Sequence, residues 1–193
     1  MFENLLQLIV LFFVIFDPLA SLVVFIVSTA RMNDFEKRKV ATLAVMVAGG
    51  ISLLVLIFGN LLLKVFDTTI PDLRVAGGII LGLLGLKMVW GQSLTDTEGM
   101  KADSSLAIAS VIGTPLLTGP ATITTIMIAM NDFGRLQTGI AALIVLITTA
   151  LIFYNAVKIE KALGKTSIRI ISTILGLITL AWGVKYIRVG LGI

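Results

Sequence analysis

The chain has 193 residues, of which 58% are hydrophobic and only 13% charged, and its mean hydropathy of +1.08 is far above that of a soluble domain of this length. Fifteen Lys and Arg against eleven Asp and Glu leave a net charge of +4, but the basic residues gather in short segments between long apolar runs, a pattern that orients membrane helices and argues against nucleic-acid binding. The lack of cysteine and histidine excludes a disulfide framework, a thiolate metal site and an imidazole proton relay, and no cofactor is expected.

About 20 apolar residues cross a bilayer, and on that ruler six spans are expected, at 4–30, 40–65, 71–91, 105–130, 137–157 and 168–191. The first follows a start, Met1-Phe2-Glu3-Asn4, with no basic region. Asp17 interrupts what would be a signal-peptide core, so this span is expected to be retained. Asp17-Pro18 also breaks it near the middle. Proline removes a backbone donor and clashes with the preceding turn, and in lipid the freed groups need another partner, for which a bound polar solute is one candidate. Asp17 is the one acidic residue expected at mid-membrane depth, where an unpaired charge is costly, so it should be protonated, paired or facing water. The third span holds Gly77, Gly78, Gly82 and Gly85, small residues that permit close helix packing.

The longest polar stretch, 92–104, separates two halves, 1–91 and 105–193. The fourth span, like the first, is broken by proline, at Thr114-Pro115 and Gly119-Pro120. Gly113 and Gly119 let backbone bend and approach a ligand closely. Thr114, Thr118, Thr122, Thr124 and Thr125 bring hydroxyls to a depth where lipid offers none; Thr124 and Thr125 are read as bonding back to their own helix or joining helices.

The halves resemble each other. Ile80-Leu81-Gly82-Leu83 recurs as Ile174-Leu175-Gly176-Leu177, an offset of 94, and Met32-Asn33-Asp34-Phe35 recurs as Met130-Asn131-Asp132-Phe133, an offset of 98. Three spans per half is an odd number, so a duplicated unit enters the membrane from opposite sides, as an inverted repeat. Each break starts a new half-helix, after Pro18 and after Pro120. The N–H groups near Ala20 and Ser21, and near Ala121 and Thr122, then present partial positive charge that suits a carboxylate. Carbonyls before the breaks, around residues 13–16 and 113–118, suit an ammonium group. One zwitterion uses both ends. The loops after spans one, three and five carry ten basic residues against five on the other side, which places both termini outside the cytoplasm.

Three segments carry a resemblance to a known family: Phe16-Asp17-Pro18-Leu19; Ile70-Pro71-Asp72-Leu73-Arg74-Val75-Ala76-Gly77-Gly78-Ile79-Ile80-Leu81; and Thr114-Pro115-Leu116-Leu117-Thr118-Gly119-Pro120 followed by Ile123-Thr124-Thr125. The chain resembles, over nearly its whole length, the MarC family of six-span membrane proteins, including its SnatA-like small neutral amino-acid transporters. The resemblance implies two three-helix repeats, discontinuous first and fourth helices around a central site, and proton-coupled movement of glycine- or alanine-sized substrates. It departs from the family at Ala20-Ser21, where Gly-Asn is frequent, and at Ala121, where glycine is frequent.

The expectation is an all-α polytopic membrane protein of two inverted three-helix repeats in the cytoplasmic membrane, with helices 1 and 4 discontinuous. Its expected function is secondary transport of a small neutral amino acid, with Asp17 as the proton-coupling candidate and sodium as the other ion that free carbonyls and hydroxyls suit. The candidate substrate site comprises Asp17, Pro18, Ala20, Ser21, Gly113, Thr114, Thr118, Gly119, Pro120, Ala121 and Thr122. Rival readings are an exporter of another metabolite or toxic compound, and a non-transporting membrane scaffold. An enzyme is not expected, since no histidine-based metal motif, cysteine nucleophile or second intramembrane acid completes a catalytic set.

Overall fold

The computed structural model describes residues 2–91 and 105–193; the polar boundary 92–104 lies outside the described residues. The described residues are predominantly helical, joined by short turns, with no strand among them. In chain order they form α1 (Phe2–Phe16), α2 (Pro18–Ser28), α3 (Asp34–Val65), α4 (Ile70–Val89), α5 (Ser105–Val111), a wide turn (Ile112–Leu117), α6 (Pro120–Phe133), α7 (Arg135–Tyr154) and α8 (Ala156–Leu191). Four stretches are long and apolar enough to cross a membrane: Glu3–Ser28 across the first break, Asp34–Val65, Arg135–Tyr154 and Thr166–Leu191. The other two expected spans take different forms. α4 has the length, at 20 residues, but carries Asp72, Arg74 and Lys87; the fourth span is cut into helices of 7 and 14 residues around the turn.

Local chemistry sets the helix ends. Asn33 and Glu36 cap α3 reciprocally: Glu36 N–H donates to Asn33 Oδ1 (2.9 Å) and Asn33 N–H to Glu36 Oε2 (3.0 Å). This capping box starts the helix at Asp34, ahead of the apolar run that begins at 40. Thr69 and Asp72 form the same device at α4, with Pro71 in the first turn. The sixth expected span is the larger part of α8, whose first turns are set off by a bend at Gly164 (φ 72°, ψ 156°).

Side-chain sizes are distributed as lipid demands. The buried stripe of α3 is mostly small, with Ala41, Ala44, Ala48, Ser52 and Gly59. Its outer face holds Met46, Leu53, Leu54, Ile57 and Leu61, each more than half exposed except Ile57 at 50%. A contiguous face of that kind would drive aggregation in water but is ordinary against acyl chains. The chain is an integral membrane protein.

α4 and α8 share the most extensive helix contact, and they run antiparallel with backbone touching backbone. A methyl group on Gly78 would lie 2.6 Å from the Gly183 carbonyl oxygen, and one on Gly85 would lie 2.7 Å from that of Gly176. One on Gly190 would lie 2.8 Å from the Pro71 carbonyl oxygen. Gly176, Gly183 and Gly190 thus recur every seven residues, two turns of helix, opposite Gly85, Gly78 and Pro71. The Gly82 backbone also belongs to the seam, its N lying 2.8 Å from a methyl added at Gly183, but a methyl on Gly82 itself would meet only a Leu180 methyl at 3.9 Å. Elsewhere α1 packs on α7 and α5 on α3, while α2 packs on α8 and α6 on α4.

α6 is held to α4 at two points. Gly77 gives way to Thr124, whose Oγ1 would lie 3.0 Å from an added methyl, and half-buried Arg74 pairs with Asp132 at the surface. Single Arg74→Ala and Asp132→Ala variants should each lower thermal stability, and the double variant should lose less than their sum. The coupling from that cycle is expected on the order of 1 kcal/mol; strictly additive losses would mean the pair does not hold the helices together.

Candidate functional site

The two breaks lie side by side, since the wide turn of the second half packs against α1, α2 and α3. At the first, Pro18 bars Asp17 from the right-handed helical region, and Asp17 adopts φ 40°, ψ 64°, a conformation that Asp tolerates better than most side chains. Its N–H closes α1 by donating to Phe13 O (3.2 Å). Its Oδ1 accepts from Ala20 N–H (3.2 Å) and its carbonyl from Ser21 N–H (3.1 Å). The start of α2 is therefore occupied by its own N-cap. The carboxyl group is 3% exposed, and its Oδ2 and the Ser21 hydroxyl are buried without a hydrogen-bond partner. Asp17 has no ion-pair partner among the described residues.

The second break is built differently. Thr114 is extended (φ −146°, ψ 121°) within the wide turn, with its side chain exposed. Thr118 donates both its N–H (3.1 Å) and its hydroxyl (2.5 Å) to Gly113 O, and Thr122 Oγ1 donates to Leu117 O (2.9 Å). Thr124 Oγ1 donates to the carbonyls of Pro120 (2.9 Å) and Ala121 (3.0 Å). The Thr118 hydroxyl thus joins an amide donor already on Gly113 O, and the Thr122 hydroxyl reaches back across the break to Leu117 O; Thr125 Oγ1 is buried next to the Tyr186 hydroxyl of α8. Gly113 serves packing, since a methyl there would lie 2.8 Å from the Ala44 carbonyl oxygen of α3. α6 begins after Gly119, which has no side chain to cap it. Ile123 N–H donates to Gly119 O (3.1 Å), while the N–H groups of Ala121 and Thr122 find no partner among the described residues.

That uncapped end faces a cavity of about 190 Å3 formed by residues 119–122 of the α6 start, Ile15 from the last turn of α1, Leu116 from the wide turn, and Ile80 and Leu84 from α4. On the α1 side, the carbonyls of Ile15 and Phe16 also lack donors among the described residues. The positive end of one helix and the negative end of another thus bound one small space. Of the residues expected at a site, Gly119, Pro120, Ala121 and Thr122 line the cavity; Asp17, Pro18, Ala20, Ser21, Gly113, Thr114 and Thr118 make up the adjoining breaks. The apolar wall carried no sequence signal, because Ile and Leu recur throughout such helices.

Two larger clefts open at opposite ends of α3. One, about 480 Å3, lies where α2 ends and α3 begins, beside Lys37, Arg38 and Lys158, with the stacked rings of Phe25 and Phe153 (centroids 4.9 Å apart) among its walls. The other, about 450 Å3, lies where α3 ends and α7 begins, beside Asn60, Lys64, Asn131 and Arg135.

A model of MarC family integral membrane proteins matches residues 2–192. The chain is 32% identical over 206 residues to the UPF0056 membrane protein YvbG of Bacillus subtilis, covering 99% of this chain and 95% of the relative. It is 33% identical over 187 residues to the UPF0056 membrane protein MJ1677 of Methanocaldococcus jannaschii, covering 93% and 91%. Identity to the UPF0056 membrane protein PH0214 of Pyrococcus horikoshii is 28%, covering 100% and 95%. No solved structure matches the chain.

Proposed function

The chain belongs to the MarC family of integral membrane proteins, and from that membership and the cavity between two opposed helix ends we propose that it is a secondary transporter of small neutral amino acids. The observation that carries the reading is the uncapped start of α6 facing the donor-less end of α1 across about 190 Å3. A substrate carboxylate takes the N–H groups of Ala121 and Thr122, and its ammonium takes the Ile15 carbonyl. Each such helix-end interaction contributes about 0.3–1 kcal/mol when exposed and up to about 2 when buried. The volume is below the roughly 300–1,000 Å3 of sites for drug-sized ligands, which favours an amino acid over a bulky toxic compound.

A six-span inverted repeat is supported by the contacts. Adding 98 to Gly78 and Gly85 gives Gly176 and Gly183, so the Gly78–Gly183 contact and the Gly85–Gly176 contact exchange under the repeat. The same offset relates Met32 to Met130 and maps α1 on α7 to α5 on α3, and α2 on α8 to α6 on α4. It replaces the 94 of the Ile-Leu-Gly-Leu match as the register. The clefts at opposite ends of α3 exchange in the same way, and they serve as access from the two faces in alternation. The basic excess puts the Lys37, Arg38 and Lys158 cleft on the cytoplasmic side of the cell membrane and both termini outside.

Coupling is assigned to Asp17, whose buried Oδ2 has neither cation nor donor. Proton uptake there removes an uncompensated charge beside the site and biases which face opens. Counterflow in proteoliposomes loaded with glycine tests the carrier. Labelled glycine should accumulate, excess alanine should block it, and Gly119→Leu should abolish it while the protein stays folded. A folded wild-type protein with no entry above empty liposomes would favour a scaffold, as would Gly119→Leu with undiminished exchange.

A further inference from the structure

We propose that Ile80 and Leu84 form a fixed wall that sets the largest side chain the cavity admits. The proposal rests on the amino-acid reading above and goes beyond it to the residues that choose among amino acids. With the carboxylate at Ala121 and Thr122 and the ammonium at the end of α1, the charged ends are held by α6 and α1. The remaining boundary of the cavity is Leu116 on one side and Ile80 with Leu84 on the other, and a substrate side chain must meet it.

The two sides differ in how far they can yield. Leu116 belongs to the short wide turn, which is interrupted by the extended Thr114. Ile80 and Leu84 stand four residues apart on one face of a continuous helix. Behind that face, roughly 130° round at 3.6 residues per turn, lie Gly78 and Gly85 with backbone against backbone of α8. A retreat of α4 from an oversized substrate would drive the carbonyl oxygens of each helix into the glycine backbone of the other. Ile80 is also β-branched and has little rotamer freedom in a helix. The wall therefore neither moves back nor folds away. Its hydrocarbon surface offers no partner to a polar side chain, so it rejects charged substrates as well as large ones.

The test is counterflow of glycine, alanine, valine and leucine by wild type, Ile80→Ala, Leu84→Ala and Ile80→Val, with Leu83→Ala as a control on the outer face, where that residue is 60% exposed. One methylene in an apolar pocket discriminates about tenfold or more. Ile80→Ala and Leu84→Ala should therefore raise the valine-to-glycine ratio of rates at least about tenfold, Ile80→Val should raise it less, and Leu83→Ala should leave it unchanged. Should Ile80→Ala fail to fold, the milder Ile80→Val and the separate Leu84→Ala decide the matter. Glycine exchange that persists in the wall variants with the ratio within twofold of wild type overturns the wall and leaves the carrier standing. No amino-acid exchange by folded wild type overturns the amino-acid reading and the wall with it.

Discussion

Asp17→Asn should abolish proton-driven accumulation of substrate while leaving the protein folded and able to exchange substrate in the absence of a gradient. Asn caps a helix about as well as Asp and also tolerates the left-handed conformation found at position 17 (φ 40°), so α2 keeps its start. What it lacks is the exchangeable proton. Asp17→Ala removes the cap, at about 0.5–2 kcal/mol, and adds left-handed strain of roughly 1–2 kcal/mol. That variant should lose stability and both modes of transport. Uptake with an imposed proton gradient, set beside counterflow without one, separates the two roles. If Asp17→Asn still accumulates substrate against a gradient as wild type does, Asp17 is a cap alone and the coupling ion or site lies elsewhere.

The largest loss of stability should come from the α4–α8 seam. Gly85→Val puts a branched side chain where even its first carbon would lie 2.7 Å from both Gly176 O and Leu180 N. Overpacking usually costs about 1–3 kcal/mol, and more when neighbours cannot yield. Backbone on both sides is such a case, so the cost should reach or exceed the top of that range. Gly176→Val meets Met88 Cβ at 2.6 Å and Gly85 O at 3.1 Å and should behave alike. Gly82→Ala, three residues away and facing open contact at 3.9 Å, should melt within error of wild type. Thermal unfolding in detergent, followed by the fraction that stays monodisperse, measures all three. A Gly85→Val protein with an unchanged melting curve would mean that the helices are not in backbone contact, and it would remove the reason for treating the Ile80–Leu84 wall as fixed.

The breaks were legible in the sequence because proline acts on its own backbone, whatever surrounds it. That Asp17 would be an unusual acid was legible for a similar reason, and it is indeed buried at 3% exposure. Capping boxes were written in the sequence as Asn33 with Glu36 and Thr69 with Asp72, but hydropathy passes over polar flanks, so the apolar span 40–65 is shorter than the helix Asp34–Val65 that contains it. The seam was half legible. Gly78, Gly82 and Gly85 signal close packing and all three have backbone in the seam, whereas the seven-residue recurrence of Gly176, Gly183 and Gly190 names their partner only once the two helices are paired. Two features needed coordinates. One is that Asp17 Oδ1 already occupies Ala20 N–H, which separates two helix starts that look alike in sequence. The other is the wall, since nothing local distinguishes Ile80 from the other isoleucines of this chain.

The capped start of α2 has a consequence for counting. The repeat supplies two helix ends able to hold a carboxylate, and one of them carries a carboxylate of its own, joined to it by a single residue's side chain. A tethered ligand competes at an effective concentration in the millimolar range or above, and it never diffuses away. On the proposed reading, a free amino acid would therefore load only the α6 end. On the proposed transport reading the fold would be a one-seat carrier, moving one substrate per turnover, and the residue that keeps the second seat taken would be the one proposed to carry the proton.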